Sequence, residues 1–159
     1  MIRLQKIDSK NLWKVVGLSV KEQQKGFVAT NTQSLLEAYV TVTSGKTALP
    51  FAIYSDEELV GFVMFGYDTI DAADEPAIAP GNYCIWRFMI DQKYQGNGFG
   101  KAALAKAIEY LRAKPCGPAQ YCWLSYEPEN IAARALYTSM GFSENGETDG
   151  EEIVSVLKL

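Results

Sequence analysis

Apolar and polar residues follow two different periods along the chain, and each change of period predicts a new element. Alternation over Ile2–Ile7 predicts a half-buried strand, and the apolar residues within Leu12–Val16 predict a short helix. Asn31 and Thr32 can cap a second helix that ends at Gly45. The apolar face of this second helix is predicted from residues at helical spacing: Leu35, Leu36, Tyr39 and Val42.

Strand patterns dominate the middle of the chain. Phe51–Ser55 and Leu59–Tyr67, joined by the turn residues Asp56 and Glu57, predict an antiparallel hairpin. Residues 68–82 include two prolines and a glycine and predict a long loop, and long loops in compact domains often serve function. Tyr83–Ile90 is a nearly continuous apolar run, as expected for a central strand covered on both faces.

Helices and strands alternate in the second half of the chain. A glycine segment leads into a helix with an apolar face, Tyr121–Tyr126 predicts a strand, and Ile131–Met140 predicts a last helix closed by Gly141 in the left-handed conformation. The remainder predicts a closing hairpin. The order β α α β β β α β α β β, uninterrupted by repeats or linkers, predicts a single α/β domain over residues 1–159.

Composition narrows the class of protein. The chain is 48% hydrophobic and 21% charged, which is typical of an ordinary globular protein, and no apolar run is long enough for a membrane span, so a cytoplasmic location is expected. The net charge of -4 argues against a nucleic-acid binder and favours a cationic small molecule. Histidine is absent and the three cysteines lack paired spacing, so neither a metal site, nor an imidazole base, nor a disulfide framework is expected.

Acidic residues are concentrated in two segments that contain no Lys or Arg. The first segment holds Asp68, Asp71, Asp74 and Glu75, and the second holds Glu144, Glu147, Asp149, Glu151 and Glu152. Solvated loops and strand edges are the favoured interpretation for most of these residues.

The segment QGNGFGK, Gln95–Lys101, places three glycines at two-residue spacing in front of a helix. A helix N-terminus presents unpaired N–H groups and a partial positive charge, so it binds phosphate when the preceding loop can wrap the anion. Gln95 and Ala102 exclude a Walker loop, and Lys101 stands where a dinucleotide fingerprint needs its third glycine. A tight turn without a ligand remains the alternative.

This segment and a second motif together resemble the signatures of the GNAT superfamily of acetyl-CoA-dependent N-acetyltransferases. Gln95, Gly98 and Gly100 occupy the positions of the signature (Q/R)-x-x-G-x-(G/A). The signature N-x-x-A-x-x-L-Y, followed by G-F, appears as Asn130, Ala133, Leu136, Tyr137, Gly141 and Phe142. The resemblance implies a mixed central sheet of about seven strands flanked by about four helices, with acetyl-CoA as the co-substrate.

The resemblance also implies a role for each matching residue. Backbone N–H groups would hold the CoA pyrophosphate at Gly96, Asn97, Gly98, Phe99, Gly100 and Lys101. Asn130 and Ala133 would lie along the bound ligand, and Tyr137 would protonate the departing sulfur, with a core aromatic as the alternative. Main-chain N–H groups of Phe88, Met89 and Ile90 would polarise the thioester carbonyl, although these side chains also suit a core.

The acceptor amine is less well defined. The stretches QQKGFVATNTQSLLEAY, WRFMIDQKYQGNGFGKAAL and LSYEPEN resemble bacterial spermine/spermidine acetyltransferases of the diamine N-acetyltransferase type, which implies direct transfer to a polyamine in a ternary complex. Glu22, Glu37 and the face of Trp86, with Tyr39 and Tyr126 as alternative aromatic faces, are candidates for binding its ammonium groups. Alternatives are another acceptor (an aminoglycoside, an amino acid or a protein N-terminus) and a catalytically silent acyl-CoA-binding module.

Two questions stay open at the level of sequence. Cys84 and Ser125 stand where some relatives carry a catalytic glutamate, so no general base is assigned, and the candidate Glu127 also suits an exposed turn. The closing segment VSVLKL could pair with a second subunit to form a homodimer or could occupy an ordinary position in the sheet.

Overall fold

The computed structural model describes residues 1–69 and 75–159, and in these ranges the elements follow the predicted order. The strands are β1 (Ile2–Lys6), β2 (Thr47–Ser55), β3 (Glu58–Tyr67), β4 (Tyr83–Ile90), β5 (Tyr121–Tyr126), β6 (Ser143–Asp149) and β7 (Glu152–Lys158). The helices are α1 (Leu12–Val16), α2 (Asn31–Thr43), α3 (Phe99–Arg112) and α4 (Ile131–Ser139), with a 3-10 turn at Glu22–Gln24. None of the helices in these ranges is long and apolar enough to cross a membrane.

The seven strands form one mixed sheet in the order β1-β2-β3-β4-β5-β7-β6. Neighbouring strands run antiparallel except β4 and β5, which run parallel. The predicted mixed sheet is therefore confirmed. β7, which contains Val154–Lys158 of VSVLKL, lies between β5 and β6, so this segment occupies an ordinary position in the sheet, and the homodimer stays a prediction.

Helices cover both faces of the sheet, and side-chain alternation along β3 separates the two cores. On one face, α1 and α2 contribute Val15 and Ala38, which pack with Phe62, Met64 and Met89. On the other face, α3 and α4 pack against the sheet through Leu104, Leu111, Tyr137, Phe51, Val63 and Phe65. The site described below lies where β4 and β5 separate between these layers.

The predicted apolar face of α2 is largely wrong. Leu36, Tyr39 and Val42 are 64%, 70% and 55% exposed, and Leu35 is only partly buried. The residues that face the sheet are small or polar: Asn31, Ser34 and Ala38. Two hydrogen bonds explain how polar groups are buried there, because the Asn31 amide donates to the carbonyl of Val15 and Ser34 donates to the carbonyl of Thr30.

The end of the predicted long loop 68–82 is fixed to the sheet, whereas residues 70–74 lie outside the described residues. Glu147 Oε1 on β6 accepts a hydrogen bond from the N–H of Ala77 at 2.6 Å. Asn82 Oδ1 accepts from the N–H of Tyr121 at 2.9 Å, at the start of β5. These contacts hold Glu75, which precedes them, beside the β6–β7 hairpin.

Candidate active site

A gap in the sheet forms the site. β4 and β5 pair at only two positions, Tyr83 with Cys122 and Cys84 with Trp123, although the strands are eight and six residues long. Opposite β3, a shift of register leaves Trp86 as the extra residue of a bulge, and bulges bend the strand that carries them. Beyond Cys84, the two strands therefore diverge, and the backbone groups of β4 that point away from β3 face the gap instead of bonding to β5.

The gap opens into a cleft of about 1010 Å³. Most sequence-predicted site residues line it: Trp86, Phe88, Met89, Ile90, Gln95, Gly96, Gly100, Asn130, Ala133 and Tyr137. Four predicted residues of the glycine segment do not line the cleft, and they are Asn97, Gly98, Phe99 and Lys101. The CoA motifs thus meet at one cavity, although they are some 35 residues apart in the chain.

The glycine segment presents the start of α3 to this cleft. Gly98 is the N-cap of α3 with φ of 80°, and no side chain caps the free N–H groups that follow it. Gln95 Nε2 ties the segment in place, since it donates to the carbonyl of Ile90 and to Gln24 Oε1, both at 2.9 Å. An uncapped N-terminus held in this way suits a phosphate group.

Gly100 has a different role from the other two glycines. Gly96 and Gly98 both have φ of +80°, a conformation that other residues rarely adopt. Gly100 has no such φ, and a Cβ built there would meet only Leu136 and Ile90, at 3.8 and 3.9 Å, which is ordinary van der Waals contact. The protein itself therefore does not require glycine at position 100, whereas a ligand close to the backbone would. The cradle fits a CoA pyrophosphate.

Tyr137 projects from α4 into the same cleft. Asn130 is the N-cap of this helix, because its Oδ1 accepts a hydrogen bond from the N–H of Ala133. Tyr137 is 9% exposed, and its ring stacks on Tyr126 at 5.8 Å between centroids. Burial, and then the nearby carboxylate of Glu152, raise the pKa of Tyr137 well above its usual value. The Tyr137 phenol therefore stays neutral and keeps a proton that it can donate.

Five described carboxylates line the cleft, namely Asp68, Glu75, Glu127, Asp149 and Glu152, and three of them, Glu75, Asp149 and Glu152, are close neighbours. Burial and the charge of Asp149 raise the pKa of Glu75, whose Oε2 is buried without a hydrogen-bond partner among the described residues. Asp149 and Glu152 are direct cross-strand partners in the β6–β7 hairpin. Ser125 on β5 donates a hydrogen bond to Glu152 Oε2 at 2.6 Å. None of the three carboxylates forms a salt bridge with a described Lys or Arg.

The two acids predicted to bind substrate lie elsewhere. Glu22 is exposed and pairs with Lys25 at 2.6 Å, and Glu37 pairs with Arg87 at 2.8 Å. Neither acid lines the cleft, whereas both of their basic partners do. The structure therefore brings Trp86 to the site but not Glu22 or Glu37, which neutralise cationic side chains beside it.

The positions without a family glutamate have different surroundings. Cys84 is buried, and burial raises the pKa of its thiol well above the ordinary value, so it does not supply a thiolate. Ser125, in contrast, is hydrogen bonded to the carboxylate of Glu152. Glu127 lines the cleft as well.

The sequence interpretation missed Glu75, Asp149 and Glu152 as site residues. Their signal was present, because both of their segments are acidic without any Lys or Arg. The spacing of residues in the sequence could not reveal that the fold brings these groups together. Ser125 and Glu152 are 27 residues apart in the chain, and only the pairing of β5 with β7 places them side by side. Trp123, whose Nε1 is buried without a partner in the described part of the chain, was also missed.

A mixed sheet that splits between parallel strands, with an uncapped glycine-led helix beside the split, defines an acyl-CoA-dependent N-acyltransferase. Comparison with known families agrees. The chain belongs to the acetyltransferase (GNAT) family, whose model matches residues 10–142. It is thus an N-acetyltransferase with acetyl-CoA as its co-substrate.

Two kinds of curated protein are similar in sequence. The spermine/spermidine N(1)-acetyltransferase of Bacillus subtilis (strain 168) is 30% identical over 159 residues, which cover 96% of both chains. The [ribosomal protein bS18]-alanine N-acetyltransferase of Escherichia coli (strain K12) is 32% identical over 82 residues, which cover 47% of this chain and 53% of that protein.

Solved structures share the fold. Aminoglycoside acetyltransferase AAC(6')-Ib in complex with coenzyme A has a TM-score of 0.79 at 18% identity, with 99% of this chain and 95% of that chain covered. The PaiA N-acetyltransferase from Thermoplasma acidophilum in complex with coenzyme A has a TM-score of 0.64 at 19% identity, with 100% and 99% covered. At these identities, the likeness concerns the fold and not the acceptor.

Proposed function

We propose that this N-acetyltransferase acetylates a primary amine of a polyamine such as spermidine or spermine, by direct attack in a ternary complex. The observation that carries the proposal is the group of three cleft carboxylates, Glu75, Asp149 and Glu152, without a basic partner among the described residues. A linear polycation offers several ammonium groups to such a cluster. The 30% identity with a spermine/spermidine acetyltransferase over nearly the whole chain supports the same acceptor.

Energetics of the hairpin favour a cationic substrate. Asp149 and Glu152 lie directly opposite each other on β6 and β7, and like charges in that arrangement destabilise a sheet. Of the three basic residues that line the cleft, Lys25 and Arg87 are paired with Glu22 and Glu37, and Lys46 is not free either. A bound ammonium would therefore supply the positive charge that the acidic end of the cleft lacks.

The other walls of the cleft suit this chemistry. Trp86 and Trp123 also line the cleft, and the Trp86 ring already takes part in a cation–π contact, because Arg87 Cζ lies 5.6 Å from its centroid. Phe88, Met89 and Ile90 on β4 pair with β3 on one side and line the cleft on the other, so a main-chain N–H of this stretch that points away from β3 can donate to a carbonyl oxygen that gains negative charge. Tyr137, which keeps its proton, is positioned to donate it to a leaving thiolate.

The proposal predicts a marked preference among acceptors. With acetyl-CoA and a thiol-detecting reagent, spermidine and spermine are expected to give the highest kcat/KM in a panel with kanamycin, alanine and an alanine-led peptide. Each additional charge-assisted hydrogen bond contributes roughly 1.5–3 kcal/mol, so we expect kcat/KM for the polyamines to exceed that for alanine and the peptide at least tenfold. A faster reaction with kanamycin or the peptide would replace the polyamine by that acceptor, and no thiol release with any amine would indicate a silent acyl-CoA-binding module.

Asp149→Asn is expected to change substrate affinity and stability in opposite directions. Loss of a charged contact to the polyamine should raise KM for spermidine about tenfold or more. Removal of a like-charge pair with Glu152 should raise the free energy of unfolding by up to about 1 kcal/mol. Initial rates and urea denaturation measure the two effects.

Glu151→Gln is the matched control for this variant. Glu151 lies at the exposed tip of the same hairpin, away from the cleft. Its replacement removes the same charge from the protein but should leave KM within about twofold. Equal KM values for Asp149→Asn and Glu151→Gln would remove Asp149 from the acceptor site.

A further inference from the structure

Ser125 and Glu152 form a short hydrogen bond at the acidic end of the cleft. Ser125 Oγ donates to Glu152 Oε2 at 2.6 Å and lies 3.4 Å from Asp149 Oδ2. A hydroxyl has one proton, so this donation leaves the lone pairs of Oγ able to accept a hydrogen bond from a ligand. The register of β5 and β7 fixes this pair. Ser125 on β5 lies opposite Val154 on β7, and Glu152, two residues before Val154 on β7, has its side chain on the same face of the sheet.

We propose that Glu152, through Ser125, accepts the proton that the substrate amine must lose before it attacks the thioester. This inference rests on the proposed acetylation of an amine and names the base that the sequence left unassigned. In this arrangement Ser125 contacts the amine directly. Glu152 acts through Ser125 and holds the proton after the transfer.

Two further polar groups in the same cleft indicate a ligand there. Tyr137 is 9% exposed, and its hydroxyl has no hydrogen-bond partner among the described residues. Trp123 is 4% exposed, and its Nε1 is buried without a partner. Glu152 is close enough to Tyr137 to contribute to its raised pKa, so the proton acceptor and the proton donor share one cleft.

The proton and bond changes balance without any further reactant. The ammonium gives one proton to Ser125 Oγ while the hydroxyl proton of Ser125 moves to Glu152, which leaves a neutral amine and a neutral carboxylic acid. The amine nitrogen then forms a bond to the thioester carbon, and the carbon–sulfur bond breaks. Tyr137 protonates the sulfur and regains a proton from the nitrogen, and Glu152 releases its proton to solvent.

Among the three cleft carboxylates, the contacts select Glu152. The distance from Ser125 is 2.6 Å for Glu152 against 3.4 Å for Asp149, and Glu75 has no hydrogen bond to the hydroxyl. The titratable and charged groups that line the cleft together with Glu152 are Lys25, Lys46, Tyr67, Asp68, Glu75, Cys84, Arg87, Tyr126, Glu127, Tyr137 and Asp149. Asp149 and Glu75 are then available to hold the ammonium groups that do not react.

The decisive experiment compares Glu152→Gln with the wild type over a range of pH. Without the base, the reaction depends on the small fraction of amine that is already unprotonated, and an alkyl amine has a pKa of about 10.4. Glu152→Gln should therefore lower kcat/KM for spermidine by about 10²-fold near neutral pH, and the loss should shrink to less than about tenfold as the pH approaches that value. A loss of the same size at every pH would overturn the proposal, as would a variant with full activity.

A second readout uses an acceptor that does not need a base. Fluorine atoms beside the terminal amines of spermidine lower the pKa of those amines, so the unprotonated form is present near neutral pH. Glu152→Gln should react with this analogue within about tenfold of the wild type, because the general-base contribution is no longer needed. An equally large loss with both acceptors would indicate a purely structural role.

Variants of Ser125 test the relay if Glu152→Gln does not fold. Ser125→Ala should lose activity with the same pH pattern, and Ser125→Thr, which keeps the hydroxyl, should recover most of it. Glu151→Gln, an exposed neighbour outside the cleft, should behave as the wild type. Ser125→Ala with unchanged kcat would exclude the relay.

Failure of the proposed function has a different signature. If the wild type prefers another amine, the same pH comparison is made with that amine, and the pattern expected for Glu152→Gln is unchanged. If the wild type acetylates no amine, both the proposed function and this inference are wrong. An active wild type with a pH-independent Glu152→Gln defect overturns the inference alone.

Discussion

Tyr137→Phe is expected to lower kcat by about 10²- to 10³-fold, because it removes the buried phenol that we propose protonates the departing thiolate. The ring should remain in place, since Tyr137 packs on Tyr126 and Phe142 through its aromatic face and its hydroxyl bonds to no described residue. The free energy of unfolding should therefore change little, and KM for acetyl-CoA should stay within about threefold. Initial rates at saturating acetyl-CoA and polyamine measure the effect.

Tyr126→Phe is the matched control for this variant. Its ring lies 5.8 Å from that of Tyr137, but its hydroxyl donates to Glu144 Oε1 at 2.8 Å, toward the Glu144–Arg134 ion pair. We expect a small loss of stability and a kcat within about threefold of the wild type. If Tyr137→Phe retained full turnover, or if both variants lost turnover equally, Tyr137 would not be the general acid.

The raised pKa of Tyr137 adds a pH signature. Since burial holds the phenol neutral well above its ordinary range, kcat should show no alkaline fall caused by ionisation of Tyr137 in the accessible pH range. The measurement is kcat at saturating substrates up to the pH at which the protein begins to unfold. A fall in kcat near the ordinary tyrosine value of about 10, absent from Tyr137→Phe, would contradict the assigned environment.

Much of the fold could be predicted because strands and amphipathic helices leave strong local patterns. Tyr83–Ile90 and Tyr121–Tyr126 have the predicted bounds, and the element order is confirmed. The face of α2 could not be predicted in the same way, because this helix packs on the sheet through Asn31, Ser34 and Ala38. Small residues permit close packing, and the larger apolar residues are then directed toward solvent.

The two sides of the cleft differ in how much the sequence reveals. The CoA side consists of contiguous motifs, in which a glycine segment leads into α3 and an asparagine caps α4, so local chemistry predicts it. The proposed acceptor side combines Glu75, Ser125 and Glu152, which are brought together by the pairing of β5, β6 and β7 and by the hydrogen bond from Ala77 to Glu147. The same limit explains Glu37, whose pairing with Arg87 across 50 residues has no local signal.

Gly100→Ala is expected to weaken the binding of acetyl-CoA while leaving the protein as stable as before or more so. A Cβ at position 100 meets no described atom closer than 3.8 Å, and alanine is favoured over glycine in a helix by roughly 0.5–1 kcal/mol. In the cleft, the same methyl group would occupy the space through which a pyrophosphate approaches the free N–H groups of α3. Loss of one or two charge-assisted hydrogen bonds, at roughly 1.5–3 kcal/mol each, should raise KM for acetyl-CoA at least tenfold.

Gly17→Ala separates this effect from helix stability. Gly17 follows α1, has φ of -76°, and offers ordinary contacts of 3.5 Å to a Cβ, outside the cleft. This control should leave KM for acetyl-CoA unchanged, whereas Gly96→Ala would be uninformative because the φ of +80° strains any alanine there. Calorimetric titration with CoA and thermal unfolding together decide the matter. If Gly100→Ala bound CoA as tightly as the wild type, the third glycine would serve helix packing rather than the cofactor, and the pyrophosphate would have to bind at Gly96 and Gly98 alone.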